Sequence, residues 1–159
     1  MPIPIESLFE THLPVADLER SMHFYGITLG LSLAQHIPDQ NVAFYWLGPG
    51  KQSMLGLWWQ GHGPQSTSMH IAFRVSFDNL MAAHAGLKSA GIVPLDFYRQ
   101  PSSEPSVLAW MPAAAVYFRD PDGHLLEYIS VLDEQPLANL GVLTWSEWRR
   151  TEEQAVSPI

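Results

Sequence analysis

Cysteine is absent from all 159 residues of the chain. This absence excludes disulfide scaffolds, thiolate metal sites and cysteine nucleophiles, and it fits a reducing compartment. Any metal ion bound by this chain must therefore be held by histidine, aspartate or glutamate side chains.

Basic residues are few, with 8 Lys and Arg against 16 Asp and Glu, for a formal net charge of −8. They are scattered along the chain apart from the adjacent pair Arg149 and Arg150. Nucleic acids and anionic membranes reward clustered Lys and Arg. We therefore expect no nucleic acid and no membrane among the partners.

Long apolar runs are also missing, since no window approaches the roughly 18 apolar residues of a membrane span. Residues Met1 to Glu6 lack the basic start and apolar run of a secretory signal. We therefore expect a soluble, cytoplasmic protein. The chain contains neither a Gly-rich phosphate loop with Lys-Ser or Lys-Thr nor a Gly-x-Ser-x-Gly motif, which disfavours phosphate-loop and serine-triad chemistry.

The composition, with 47% hydrophobic and 15% charged residues, is that of a globular domain. Turn residues and apolar runs predict one βαβββ unit in the first half of the chain. Its predicted elements are a strand at 8–15, a helix at 18–25 capped by Asp17 and closed by Gly26 and Gly30, and strands at 31–36, 42–47 and 54–60.

A second βαβββ unit is predicted after a Gly-, Pro- and Ser-rich linker at 61–68. Its predicted elements are a strand at 69–75, a helix from a capping Asp78 to Ala90 ended by Gly91, and strands at 92–98, 113–118 and 124–131. The two halves can be laid on each other with His12 over His70 and Gly30 over Gly91, which indicates an internal repeat.

Two further segments stand outside the repeat. Residues 99–111 are rich in Pro and Ser and have no counterpart in the first unit. Loops of this length are often functional. The tail 133–159 carries several large apolar residues, and 145–154 are predicted to form a short docking helix. The predicted organisation is one domain at 7–132, with modules at about 7–60 and 69–132, followed by a C-terminal extension at 133–159.

Three residues form a candidate metal site. His12 lies inside the first predicted strand, His70 begins its counterpart, and Glu127 interrupts the apolar run from Leu125 to Ile129. A carboxylate in such a run is costly unless it is paired or bound to a metal. A catalytic divalent ion without cysteine is commonly held by imidazoles and a carboxylate.

The sequence resembles the vicinal oxygen chelate superfamily, which includes glyoxalase I, fosfomycin-resistance thiol transferases, extradiol dioxygenases and bleomycin-binding proteins. The resemblance covers about Ser7 to Leu132. It rests on three segments: Thr11 to Ser21 with Phe24-Tyr25, Met69 to Phe73, and Val116 to Glu127 with its Asp-Pro-Asp-Gly turn. The fold class that it implies is α+β, with two βαβββ modules forming a cup-shaped mixed sheet, the glyoxalase/bleomycin resistance/dioxygenase fold.

The resemblance implies that His12 and His70 are first-strand ligands and Glu127 a last-strand ligand of one divalent ion (Zn, Mn, Ni or Fe). A fourth family position maps to Gly56, where glyoxalase I has a glutamate. Pro14 stands where the thiol transferases have a threonine. The resemblance thus predicts an open, three-ligand site.

Strand alternation decides between several residues near these ligands. Trp58 shares a face with Gly56 and is the predicted substrate-pocket residue. Tyr128 cannot share a face with Glu127 without a bulge. His124 is predicted to have a turn or surface role.

The expected function is a glyoxalase-like, metal-dependent enzyme of the lyase/isomerase or thiol-transferase type. The ion would act as a Lewis acid on a small oxygenated substrate, and Glu127 would be a base only by leaving the metal. Two alternatives are an Fe(II)-dependent extradiol dioxygenase and a metal-free small-molecule or antibiotic-sequestering protein. We expect a small-molecule substrate and a homodimer.

Overall fold

A computed structural model describes residues 7–61 and 67–156, with side chains described up to residue 151. Residues 62–66 of the predicted linker and residues 1–6 lie outside the described residues. The chain divides into two compact units: Met1–Met69 with Asp120–Gly123, and His70–Arg119 with His124–Ile159.

The first unit holds a four-stranded sheet in the order β1-β4-β3-β2. β1 and β4 are parallel, and the other two pairings are antiparallel. Its elements are β1 (Glu10–Val15), α1 (Leu18–Met22), a π-helical continuation (His23–Thr28), β2 (Ser32–Ile37), β3 (Val42–Leu47) and β4 (Ser53–Trp59). This is the predicted βαβββ order.

The helix of the first unit is capped as the sequence predicts, because the Asp17 side chain accepts a hydrogen bond from the Arg20 backbone N–H. It runs past Gly26, which packs against the Tyr45 ring rather than ending the helix. Gly30, at a positive φ of 71°, follows the helix instead.

The second unit holds a five-stranded sheet in the order β5-β8-β7-β6-β9, with β5 and β8 parallel. α2 packs against β7 and β8, and α3 follows β9. The elements are β5 (His70–Arg74), α2 (Phe77–Ser89), β6 (Ser106–Leu108), β7 (Ala113–Arg119), β8 (Leu125–Val131), β9 (Val142–Thr144) and α3 (Trp145–Val156).

Three local predictions for the second unit were wrong. No strand forms at 92–98, where Pro94 lacks an N–H and Arg99 takes a positive φ of 65°; Leu95 makes only isolated bridges. The cap of α2 is Ser76, whose hydroxyl accepts from the Asn79 N–H, rather than Asp78. His124 is fully buried rather than on the surface, since the chain enters the interior directly after Gly123, whose φ is 85°.

The C-terminal extension completes the second unit. β9 pairs antiparallel with β6 and so adds a strand that the sequence did not predict. α3 confirms the predicted tail helix, and it buries Trp148 completely. Glu104 fixes the start of this helix by accepting hydrogen bonds from the Ser146 backbone N–H and hydroxyl.

In each unit one sheet face is apolar and buried, and the opposite face carries the candidate ligands. In the second unit that opposite face also holds a buried apolar cluster of Leu108, Ala115, Tyr117 and Leu125. The interior faces are apolar and almost fully buried; they include Leu13, Val15, Leu55 and Leu57 in the first unit and Val116, Phe118 and Leu126 in the second. The opposite faces carry His12 and Gly56, and His70 and Glu127. The candidate ligands therefore lie on the faces turned away from these cores.

Candidate metal centre

The second unit brings His70 and Glu127 into contact. His70 Nε2 lies 2.9 Å from Glu127 Oε2, and the two residues come from the adjacent parallel strands β5 and β8. The His70 side chain is half exposed, whereas that of Glu127 is only 5% exposed. The sequence thus predicted two residues that the fold places side by side.

Glu127 is a buried carboxylate with two polar partners, His70 and Tyr117. Burial raises the pKa of Glu127, while the hydrogen bond from Tyr117 and the nearby His70 ring act in the opposite direction. Burial also raises the pKa of Tyr117, and the adjacent Glu127 charge adds to this effect. The Tyr117 hydroxyl therefore keeps its proton and donates it to the carboxylate in a hydrogen bond.

Tyr117 is the residue of this site that the sequence interpretation missed. It stands directly opposite Glu127 in the antiparallel pairing of β7 and β8, and its ring centroid lies 6.2 Å from that of His70. It lies in the Val116 to Glu127 segment, two residues before Arg119, which is followed by the Asp-Pro-Asp-Gly turn. Counting strand alternation back across the hairpin would have placed it on the Glu127 face.

An aromatic line continues from this site. The Phe97 ring meets Tyr117 edge to face at 6.2 Å and Trp110 at 6.3 Å. The Phe97 backbone is held by the Ser106 hydroxyl, which accepts its N–H. Phe97 and Trp110 are both partly exposed. These rings thus form an apolar surface beside the His70–Glu127 pair, and the Ser106 hydrogen bond anchors the loop that carries Phe97.

His12 lies in the first unit on β1, with its Nε2 2.8 Å from Glu10 Oε1. Its ring stacks on Trp58 at 5.3 Å and meets Phe44 edge to face at 5.9 Å. The Trp58 Nε1 atom is buried and has no hydrogen-bond partner within the described part of the chain. Trp58, the predicted pocket residue, is thus in direct contact with a predicted ligand.

Gly56 lies directly beside His12 in the parallel register of β1 and β4. A Cβ atom added at Gly56 would lie 2.7 Å from His12 Cδ2, closer than side chains approach in real structures. The absence of a side chain at position 56 therefore makes room for the imidazole ring.

The pairing of the parallel strands matches residues of the first unit to residues of the second differently from the repeat that we inferred from the sequence. His12 pairs with Gly56 and Glu10 with Met54, whereas Ala72 pairs with Glu127 and His70 with Leu125. Matching Gly56 to Glu127 therefore matches Glu10 to His70 and His12 to Ala72. The alignment of His12 on His70 was offset by two residues, which keeps both on corresponding faces.

The donor atoms present suit a divalent ion bound through nitrogen and oxygen. His70 Nε2 and Glu127 Oε2, which lie 2.9 Å apart, make a direct hydrogen bond. Within residues 7–61 and 67–151, no three His, Asp or Glu side chains form one group able to hold a metal. The assignment of His12, His70 and Glu127 to one ion stays a prediction.

A second polar cluster in the first unit holds the Asp-Pro-Asp-Gly turn in place. Asp122 accepts hydrogen bonds from the Ala16 N–H, the Arg20 guanidinium and the Ser21 hydroxyl, and Asp120 accepts one from the Tyr25 hydroxyl. The Asp-Pro-Asp-Gly motif, on which the family resemblance partly rests, thus has a structural role.

Comparison with known proteins agrees with this architecture. A sequence model of the glyoxalase/bleomycin resistance protein/dioxygenase superfamily matches residues 7–128. The chain belongs to this superfamily. Its two open mixed sheets, with the first and last strands of each βαβββ unit paired in parallel, confirm the predicted fold class.

Solved structures of this superfamily's fold are similar to the chain. An integron cassette protein from the mobile metagenome of a Halifax Harbour sewage outfall shares 28% identity at a TM-score of 0.69, over 80% of this chain and 100% of that one. A glyoxalase/bleomycin resistance protein/dioxygenase from Nocardioides shares 24% at 0.63, over 86% and 90%. A lactoylglutathione lyase from Agrobacterium tumefaciens shares 20% at 0.62, over 80% and 96%. The last two likenesses show the fold alone.

One structural observation bears on the expectation that the chain has no membrane partner. Within the described residues, no helix is both long enough and apolar enough to cross a bilayer.

Proposed function

We propose that the chain is a glyoxalase-like, metal-dependent enzyme acting on a small oxygenated substrate. The observation that supports this most is Glu127, a buried carboxylate placed by β8 against the imidazole of His70 and the hydroxyl of Tyr117. A buried carboxylate needs compensating partners, and His70, one of the two partners of Glu127, is itself half exposed.

In this proposal His12, His70 and Glu127 hold one divalent ion, which would supply the Lewis-acid chemistry that stabilises negative charge developing on a substrate oxygen. Tyr117 orients the Glu127 carboxylate through its hydrogen bond and keeps its own proton. Second-sphere contacts of this kind commonly set metal affinity. Glu127 would exchange a proton with substrate only on leaving the ion.

The aromatic line of Tyr117, Phe97 and Trp110 supports a substrate with an apolar portion. These rings lie in contact with one another and reach the His70–Glu127 pair. An oxygen of the substrate would face the ligands while its apolar portion contacts the exposed rings. In the first unit, Trp58 beside His12 would have the same role.

The deciding experiment is metal analysis of the purified protein after incubation with Zn²⁺, Mn²⁺, Ni²⁺ or Fe²⁺, followed by calorimetric titration. We expect about one ion per chain and strong loss of binding in His12→Ala, His70→Ala and Glu127→Ala. His36→Ala, on an exposed strand position, is the matched control. Failure of the unmodified protein to bind any of the four ions would refute the proposal.

Two further measurements address the alternatives. Preference for Fe²⁺ together with substrate-dependent oxygen uptake would favour the dioxygenase. Binding of small aromatic ligands with unchanged affinity in His70→Ala would favour the metal-free binding protein. The proposed homodimer is tested by the molecular mass in solution, and a monomeric mass would contradict it.

A further inference from the structure

The connection between α2 and β6 is much longer than the corresponding connection in the first unit. Residues 29–31 join the π-helical continuation of α1 to β2, whereas residues 90–105 join α2 to β6. Long connections with a defined conformation are often functional. This connection carries Phe97 and Tyr98, two large rings that are partly or mostly exposed to solvent. The second unit therefore has a surface feature that its repeat partner lacks.

Hydrogen bonds to the sheet hold this connection in one conformation. The Leu95 N–H donates to the Tyr117 carbonyl at 2.7 Å, and the Tyr117 N–H donates to the Leu95 carbonyl at 3.0 Å. The Phe97 N–H donates to the hydroxyl of Ser106, a buried residue of β6, at 2.9 Å. Because the Phe97 backbone is fixed before any ligand arrives, binding to its ring costs little conformational entropy.

The aromatic rings form a row whose exposure falls towards the His70–Glu127 pair. Tyr98 is 66% exposed, Phe97 38% and Tyr117 only 4%. Phe97 meets Tyr98 at 5.4 Å with an angle of 86° between the rings, and it meets Tyr117 at 6.2 Å with an angle of 77°. Trp110, from the turn between β6 and β7, meets Phe97 at 76° and is 42% exposed. Phe97 is thus the centre of three edge-to-face contacts.

We propose that Phe97 and Trp110 determine substrate specificity by binding an aromatic ring of the substrate. This inference rests on the proposed function, because it names the chemical class of the substrate expected there. Aromatic rings have a negative face and a positive edge, so they attract another aromatic ring more strongly than an alkyl group of similar size. A hydroxyl or carbonyl group on the bound ring would face His70, the half-exposed partner of Glu127.

The direction of the row favours a small molecule over a second protein. The inner ring, Tyr117, is buried and lies 6.2 Å from the His70 ring, centroid to centroid. A flat protein surface would contact only the outer rings. A ligand with an aromatic part and one polar group matches both ends of the row. Small-molecule sites typically combine such an apolar lining with a few polar groups.

The test compares binding of 2-naphthol with binding of decahydro-2-naphthol, its saturated counterpart with the same carbon skeleton and hydroxyl group. Affinities are measured by equilibrium dialysis in the presence of a chelator, so that they do not depend on a bound metal. Ring–ring contacts with Phe97 and Trp110 are possible only for 2-naphthol, so we expect it to bind at least about tenfold more tightly.

Three variants locate the site of binding. Phe97→Leu and Trp110→Leu each remove a ring and keep an apolar side chain, so each should lower the affinity for 2-naphthol by about tenfold. The affinity for decahydro-2-naphthol should fall by less than about threefold in both. Phe77→Leu is the matched control, because Phe77 lies on α2 and is 40% exposed, nearly as much as Phe97. It should bind 2-naphthol as the unmodified protein does.

Circular dichroism and thermal unfolding check that each variant folds, and the two leucine variants of the row test the inference independently. Equal affinities of the unmodified protein for the two compounds would overturn the inference. So would losses in Phe97→Leu and Trp110→Leu no larger than the loss in Phe77→Leu. Those outcomes leave the proposed function intact if the unmodified protein binds Zn²⁺ and His70→Ala does not. Binding of 2-naphthol by these rings in a protein that binds no divalent ion would overturn the proposed function alone.

Discussion

Tyr117 stands opposite Glu127 on neighbouring antiparallel strands, and its hydroxyl donates a hydrogen bond to the buried carboxylate. Tyr117→Phe removes this donor while keeping the ring. Because outer partners of ligands typically set metal affinity by 10- to 100-fold, we expect Zn²⁺ affinity to fall by about tenfold. Calorimetric titration measures the change. Tyr98→Phe, at an exposed position, is the control, and equal affinities of the two variants would argue against a role for Tyr117.

Asp122 is expected to be a major contributor to folding stability. Its side chain is 2% exposed and accepts hydrogen bonds from Ala16, Arg20 and Ser21. Asp122→Ala leaves these donors without their acceptor, so we expect the free energy of unfolding to fall by roughly 3 kcal/mol. Urea denaturation measures it. Asp39→Ala, at an exposed turn, should change stability by less than about 0.5 kcal/mol. A similar small effect of both substitutions would refute this prediction.

Gly56→Ala should affect metal binding more than folding. The added methyl group would lie 2.7 Å from the His12 ring, which is partly exposed and can rotate away. Because the displaced ring belongs to His12, one of the proposed ligands, we expect Zn²⁺ affinity to fall by at least about tenfold, or about 1.4 kcal/mol.

Gly86→Ala serves as the control for Gly56→Ala. Gly86 lies in α2 with open space around its Cα, so alanine should stabilise the helix by up to about 1 kcal/mol and leave metal affinity unchanged. Undiminished Zn²⁺ affinity in Gly56→Ala would show that the position of the His12 ring is unimportant.

His84 should make the protein less stable as the pH falls. Burial lowers the pKa of this side chain below its ordinary value of 6.5, and the nearby Lys88 adds to the effect. The unfolded chain therefore takes up a proton at higher pH than the folded one. Stability contributed by the neutral ring is present above pH 6.5 and is lost as the pH falls toward the lower pKa of the folded state.

Replacement of His84 tests this dependence. His84→Gln, which can still reach Ser102, its present hydrogen-bond partner, should flatten the change in unfolding free energy between about pH 7 and pH 5. His36→Gln, at an exposed position, should keep the slope of the unmodified protein. An unchanged slope in His84→Gln would assign the pH dependence to other groups.

The elements that the sequence predicted well are those with regular apolar patterns between turn residues. β3 and α2 were found within a residue or so of their predicted bounds for this reason. β6 and β9 were missed because strands of three residues are too short to show alternation. The strand predicted at 92–98 failed because apolar residues there lie on an irregular segment containing Pro94.

The sequence allowed us to predict which residue types form the candidate site, but not which residues the strand pairing places side by side. His70 and Glu127 stand out because imidazole and carboxylate interrupt apolar strands. Glu10 does not, since a glutamate near the start of a strand is common on protein surfaces. Only the hydrogen-bonded pairing of β1 with β4 shows that Glu10 matches His70 in position.

The pairing of β9 with β6 also covers the backbone edge of β6. Without β9, the edge of the second sheet would be β6, whose residues are buried and whose backbone groups could pair with another molecule. β9 covers that edge with a strand of three residues, flanked by Gly141 at a positive φ and by α3. Such a short edge offers little template for another strand, so loss of the residues from Val142 onward would favour aggregation through β6.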